Sequence, residues 1–175
     1  MHLANRAALY SVQHGGGPFG AVILQIDNKS GRVIRYWVGH NQVVENHDPT
    51  AHAEVDTIRM AAKDLGVVNL GHINRKDSKL AQPSQWSHCI IYSSAESCPM
   101  CYSAIYWAGM KTLIFAATRY DAAAKGVDFS DADIYESLTK PYAKRKHHYR
   151  HSITNDSLGA FNYYKRTPVK RYGQK

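Results

Sequence analysis

The chain has 175 residues, 44% of them hydrophobic and 21% charged, with a formal net charge of +8. This is long enough for one domain with a real core and too short for two comfortable ones, so a single domain over 1–175 is expected, with a basic tail from about 165. No apolar run approaches the roughly 18 residues of a membrane span, and no charged-then-apolar leader opens the chain, so neither a membrane segment nor a secretory signal is expected.

Spaced apolar residues predict a first helix over 3–12, ended by His14-Gly15-Gly16-Gly17-Pro18, which neither a helix nor a central strand can cross. Residues 19–26 read as a buried strand and 33–39 as a second, joined by a turn at 27–31 into an antiparallel hairpin. Asp48-Pro49-Thr50 is a helix-start signal, and Val55, Ile58, Ala62 and Leu65 follow at helical spacing, so a helix is expected to begin at His52. The polar stretch 67–87 reads as a loop without an evident function. A strand at 89–93, a helix at 99–108 and a strand at 111–117 follow, the two strands parallel through a right-handed crossover. Short helices are expected at 121–126 and 131–138, and an amphipathic one at 156–165 packed on the sheet. The pattern is that of a three-layer α/β domain with helices over both faces of a mixed sheet.

Two short motifs carry chemistry: His52-Ala53-Glu54 and Cys98-Pro99-Met100-Cys101. A catalytic zinc takes three protein ligands and keeps a position for water, which it acidifies toward neutrality; one imidazole and two thiolates fill those three places. Glu54 is close enough to take the water's proton without being a ligand, which is the requirement of hydrolytic deamination. Alone, Cys-x-x-Cys is more often a structural zinc half-site or a redox pair, and His-Ala-Glu alone means little. Together, each at the start of a helix, they are specific. One departure stands out: Ser97 precedes Cys98 where the deaminase pattern has proline, a loss of loop rigidity and not of a ligand.

Three cysteines, two of them at metal spacing, argue against a disulfide framework and for a reducing, cytoplasmic setting, with Cys89 a small core residue. Basic residues interleaved with aromatics gather at 140–150 and in the last eleven residues. Such runs are ordinarily a solvated face; nucleic-acid binding is the alternative.

These residues resemble the cytidine deaminase superfamily, and within it the guanine deaminase branch. The resemblance rests on Gly17-Pro-Phe-Gly-Ala-Val-Ile23, Asn46-His-Asp-Pro-Thr-Ala-His-Ala-Glu-Val55, Cys98-Pro-Met-Cys-Tyr-Ser-Ala-Ile-Tyr-Trp-Ala108 and Asp121-Ala-Ala with Gly126. It implies a three-layer α/β/α domain with a mixed five-stranded sheet, zinc on His52, Cys98 and Cys101, and proton transfer by Glu54. It also implies that Asn41 hydrogen-bonds a purine that Phe19 and Trp107 enclose; a core role for the two aromatics and a turn role for Asn41 are the alternatives. Guanine recognition in this branch uses an acidic residue after the glycine matching Gly126. Here that stretch is longer, so Asp131 or Asp128 is the candidate, with Phe129 a competitor for the aligned slot. The resemblance further implies a free nucleobase as substrate and a homodimer with exchanged C-terminal segments, Tyr172 closing a site. Deamination of a base in tRNA, and a non-catalytic zinc domain, are the competing functions.

Overall fold

The computed structural model describes residues 1–124, 128–147 and 149–168. They divide into two compact units, 1–131 and 132–175. The first holds a sheet built outward from one strand. β1 (Gly20–Asp27) runs Gly-Ala-Val-Ile-Leu-Gln-Ile-Asp and is buried along most of its length, as expected of a strand covered on both faces. It pairs antiparallel with β2 (Val33–His40) on one side and with β4 (Trp86–Ala95) on the other. The far edge of β4 carries two short partners at opposite ends: β3 (Ile73–Asn74), antiparallel, and β5 (Leu113–Ala117), parallel. The expected mixed five-stranded sheet is therefore present, and it is four strands wide.

Two glycines show how the layers stack. A Cβ on Gly20 would fall 2.3 Å from the backbone oxygen of Ala4, so α1 (His2–Gln13) lies against that face. Gly39 is paired with Ala21, the next residue of β1, and a Cβ there would fall 2.2 Å from Oγ1 of Thr57 in α2 (Ala53–Leu65). Neighbouring residues of a strand point to opposite faces, so α1 and α2 cover opposite sides of the sheet. The main core lies on the α2 side, where Ile23, Ile91, Leu65 and Ile105 are buried together, the last from α3 (Pro99–Trp107).

The 67–87 stretch, expected as a loop, is part of that core. Leu70 and Ile73 are fully buried, β3 joins the sheet, and β4 starts at Trp86, three residues before the expected 89. A buried amide network holds the stretch down. Gln25 of β1 donates through Nε2 to Oε1 of Gln82 (3.1 Å) and Oγ of Ser87 (2.8 Å), while Gln82 donates to the carbonyl of Ile73 (3.3 Å). At the β1–β2 turn the buried Asp27 carboxylate accepts from the backbone and hydroxyl of Ser30 (2.8 and 2.7 Å) and from Ser84 N–H (3.2 Å). Its pKa is lowered from 3.8 to about 2, chiefly by the Ser30 hydroxyl. Periodicity misses such a segment because its apolar residues are few and its polar ones are paired inside the protein.

Helix α4 (Arg119–Ala122) opens on a capping box between Thr118 and Asp121. The second unit contains α5 (Ala132–Thr139), a 3-10 turn (Tyr142–Lys144) and α6 (Gly159–Arg166). The final segment, expected as a helix packed on the sheet, has no buried residue in α6. Its Phe161 and Tyr163 are exposed. Tyr172 and Gly126 lie outside the described residues.

Candidate active site

The site is made by two helix starts on the α2 side of the sheet. Asp48 begins the first: its carboxylate accepts from the N–H and hydroxyl of Thr50 (2.8 and 2.7 Å), turning the chain into α2. His52 is the N-cap, with extended backbone, so the helix begins at Ala53, one residue beyond the sequence expectation. The reason is local: an N-cap residue keeps non-helical dihedrals while its carbonyl starts the ladder, here to Asp56 N–H at 2.9 Å. Glu54 follows in the first turn and is buried.

Cys98 is likewise the N-cap of α3, with Pro99 in the first turn. Its sulfur accepts from the N–H of Cys101 at 3.4 Å. The two motifs converge: Nδ1 of His52 is 3.6 Å from Sγ of Cys98 and 3.5 Å from Sγ of Cys101. One donor atom from each of the three residues lies within 4.8 Å of the others.

These separations suit zinc. Bonds of ~2.3 Å to sulfur and ~2.0 Å to nitrogen at a tetrahedral angle put N and S about 3.5 Å apart. Proton sharing in the cluster points the same way. The Cys98 thiol is held well below its ordinary value, first by the hydrogen bond from the Cys101 thiol and also by His52, against the effect of burial. Cys101, as donor, is pushed upward, and the Cys98 sulfur raises His52. The residues fit a divalent ion that prefers imidazole and thiolate.

Glu54 is held from the sheet. Ser93, near the end of β4, donates through Oγ to its Oε1 at 3.0 Å, and Ser97, in the loop before Cys98, donates to the same oxygen at 2.9 Å. Both serines are buried. Sequence reasoning missed these contacts; the one signal was serine at the place of the pattern's proline.

Of the remaining predicted residues, Asp131 is within the electrostatic reach of Cys98 and His52. It is half-buried, has φ of 51°, and its pKa is raised, first by burial and then by the charge of Cys98, with His52 opposing. Asp128 is exposed, and its Oδ1 accepts from Ser130 at 3.2 Å. Phe19 meets Phe129 edge-on, ring centroids 5.2 Å apart. Asn41 is buried; its Oδ1 accepts from the N–H of Gly17 and of Val43, each at 3.3 Å. Trp107, at the far end of α3, is 63% exposed and edge-on to Tyr106. Basic residues of 140–150 are in part engaged with the second unit's own side chains: Lys140 pairs with Glu136, Lys146 with Asp133, and Arg145 lies against the rings of Tyr142 and Tyr149.

The model of the cytidine and deoxycytidylate deaminase zinc-binding region matches residues 1–117, two thirds of the chain. The chain belongs to this deaminase family. It is a zinc-dependent hydrolase acting on C–N bonds. It is 44% identical over 130 residues to the guanine deaminase of Bacillus subtilis (strain 168), covering 74% of this chain and 68% of that protein. The crystal structure of guanine deaminase from Bacillus subtilis superposes with a TM-score of 0.77 at 38% identity, covering 97% of this chain and 94% of that one. A tRNA-specific adenosine deaminase from Buchnera aphidicola is 34% identical over 103 residues, covering 59% of this chain and half of that protein. Among the described residues no helix of this deaminase is long and apolar enough to cross a membrane.

Proposed function

We propose that the chain is a guanine deaminase, converting guanine and water to xanthine and ammonia. His52, Cys98 and Cys101 would hold zinc, which when bound acidifies a water for attack on the ring carbon bearing the amino group. Glu54 takes one proton from the attacking water and gives it to the ring nitrogen, then takes the second from the new hydroxyl and gives it to the departing amine, which leaves as ammonia. Its burial keeps bulk water from competing for those protons.

The observation that carries the choice of guanine is Asp131, a half-buried carboxylate within the electrostatic reach of Cys98 and His52. Guanine presents a ring N–H and an amino group side by side, and one carboxylate can accept from both. Asn41, its oxygen engaged by Gly17 and Val43, would act on the base as a donor through Nδ2. Phe19 supplies an apolar wall. Similarity in sequence to the guanine deaminase of Bacillus subtilis, and in fold to the crystal structure of guanine deaminase from Bacillus subtilis, supports this reading.

A homodimer with exchanged C-terminal segments belongs to the same proposal. Exposed Tyr102, Tyr106 and Trp107 on α3 offer an apolar face for a second copy. A cytoplasmic setting fits thiol ligands that must remain reduced. The same proposal takes 1–175 as one deaminase domain with a basic tail from about 165.

A second reading, deamination of a base in tRNA, is favoured by the net charge of +8 and by the similarity to tRNA adenosine deaminases. Ammonia release from guanine, guanosine, adenine, cytosine, cytidine and a tRNA anticodon stem-loop separates the readings. Release from guanine is expected. Silence on guanine with turnover of another member would move the proposal to that substrate, and silence on all would favour a non-catalytic zinc domain.

A further inference from the structure

Ser97 stands where the deaminase pattern carries proline, a residue that has neither a hydroxyl nor an N–H to donate. Here its hydroxyl reaches the carboxylate of Glu54 at 2.9 Å, and Ser93 reaches the same oxygen at 3.0 Å from β4. The two donors come from different elements. Ser93 is fixed by its place in the sheet, paired with Ala21, and Ser97 by the loop that leads into the Cys98 cap. A glutamate has three rotatable side-chain bonds, and burial alone does not choose among its carboxylate orientations. Two hydroxyls converging on Oε1 do choose.

We propose that Ser97, acting with Ser93, is a positioning residue for Glu54: together they occupy the lone pairs of Oε1 and leave Oε2 to exchange protons with water and substrate. This rests on the deaminase reading above. The arrangement fixes which oxygen faces the reaction, so that the carboxylate does not have to rotate between taking the proton and giving it back. A charged acceptor makes each bond stronger than a neutral pair, and the buried setting strengthens it further. Replacing a proline of the pattern by serine thus exchanges loop stiffness for a direct hold on the proton carrier.

The test compares Ser97→Ala and Ser97→Thr with the wild-type protein, all zinc-loaded, in steady-state kinetics with guanine. Ser97→Ala is expected to keep zinc and the fold, with a melting temperature lowered by a few degrees, to lose kcat roughly tenfold and to leave KM nearly unchanged. Ser97→Thr retains the hydroxyl and should restore most of kcat. In a Glu54→Ala background, Ser97→Ala should cause no further loss of residual turnover, since its partner is gone. Full kcat in Ser97→Ala, equal losses in Ala and Thr, or an undiminished effect without Glu54 would each overturn the proposal.

Crystal structures of the wild type and Ser97→Ala give a readout that needs no substrate. The Glu54 carboxylate is expected to turn or to spread over two orientations in the variant. An unmoved carboxylate would overturn the positioning role, whereas a moved one in a protein silent on guanine would sustain it and refute only the substrate.

Discussion

Gly39 of β2 and Thr57 of α2 meet so closely that a Cβ on the glycine would lie 2.2 Å from the threonine Oγ1. That hydroxyl in turn donates to the carbonyl of Ala53 at 2.6 Å, one residue before Glu54. The first turn of α2, which carries Glu54, is thus seated on the sheet at a point where only glycine fits. Gly39→Ala should lower stability by about 1–3 kcal/mol through overpacking. It should also reduce kcat, because relief of the clash lifts the turn that bears Glu54. Urea denaturation with parallel kinetics measures both; unchanged stability would show that the contact yields at no cost.

The Asp27 carboxylate, tied to Ser30 and Ser84, makes stability depend on acid. Its folded pKa is about 2 against an ordinary 3.8, so its contribution is fully present above 3.8 and is lost as pH falls toward 2. The margin of the wild type over Asp27→Asn in thermal unfolding should shrink across that window. A margin that stays constant from pH 5 to about 2 would show that the shift does not bear on folding.

Much of this molecule is legible in its sequence, and the parts that are not share a physical cause. The hairpin of β1 and β2 and the two helix starts carry strong local signals: apolar runs, a glycine-rich break, Asp-Pro-Thr and Cys-Pro. Their observed bounds differ from the expected ones by a residue or two. The metal cluster is legible because His52 and Cys98 sit at caps that local sequence specifies and Cys101 follows in the first turn of α3. The 67–87 stretch is not, since its order comes from Gln25, 57 and 62 residues away, meeting Gln82 and Ser87 across the fold. The support of Glu54 by Ser93 and Ser97 is hidden for the same reason: the partners are 39 and 43 residues away. Pairing between distant polar groups leaves no period in a chain.

Asp131 and Asp128 are separable by substitution. Asp131→Asn should lower kcat/KM for guanine roughly 10- to 100-fold, the scale for losing a hydrogen-bonded charge on a substrate. Asparagine also tolerates the positive φ of 51° at this position, so folding should be preserved. Asp128→Asn, at an exposed site, should change little. A large loss at Asp128 alone would reassign the base contact, and small equal losses would mean that neither carboxylate reads the ring.

The most direct test of the account is Glu54→Ala with zinc content and guanine turnover measured on the same sample. Glu54 touches the site without being a ligand, so the variant should keep one zinc per chain and its fold while turnover drops by a factor of at least about 100. Turnover that survives with zinc in place would contradict proton transfer by Glu54, and zinc lost with the carboxylate would contradict the ligand set of His52, Cys98 and Cys101.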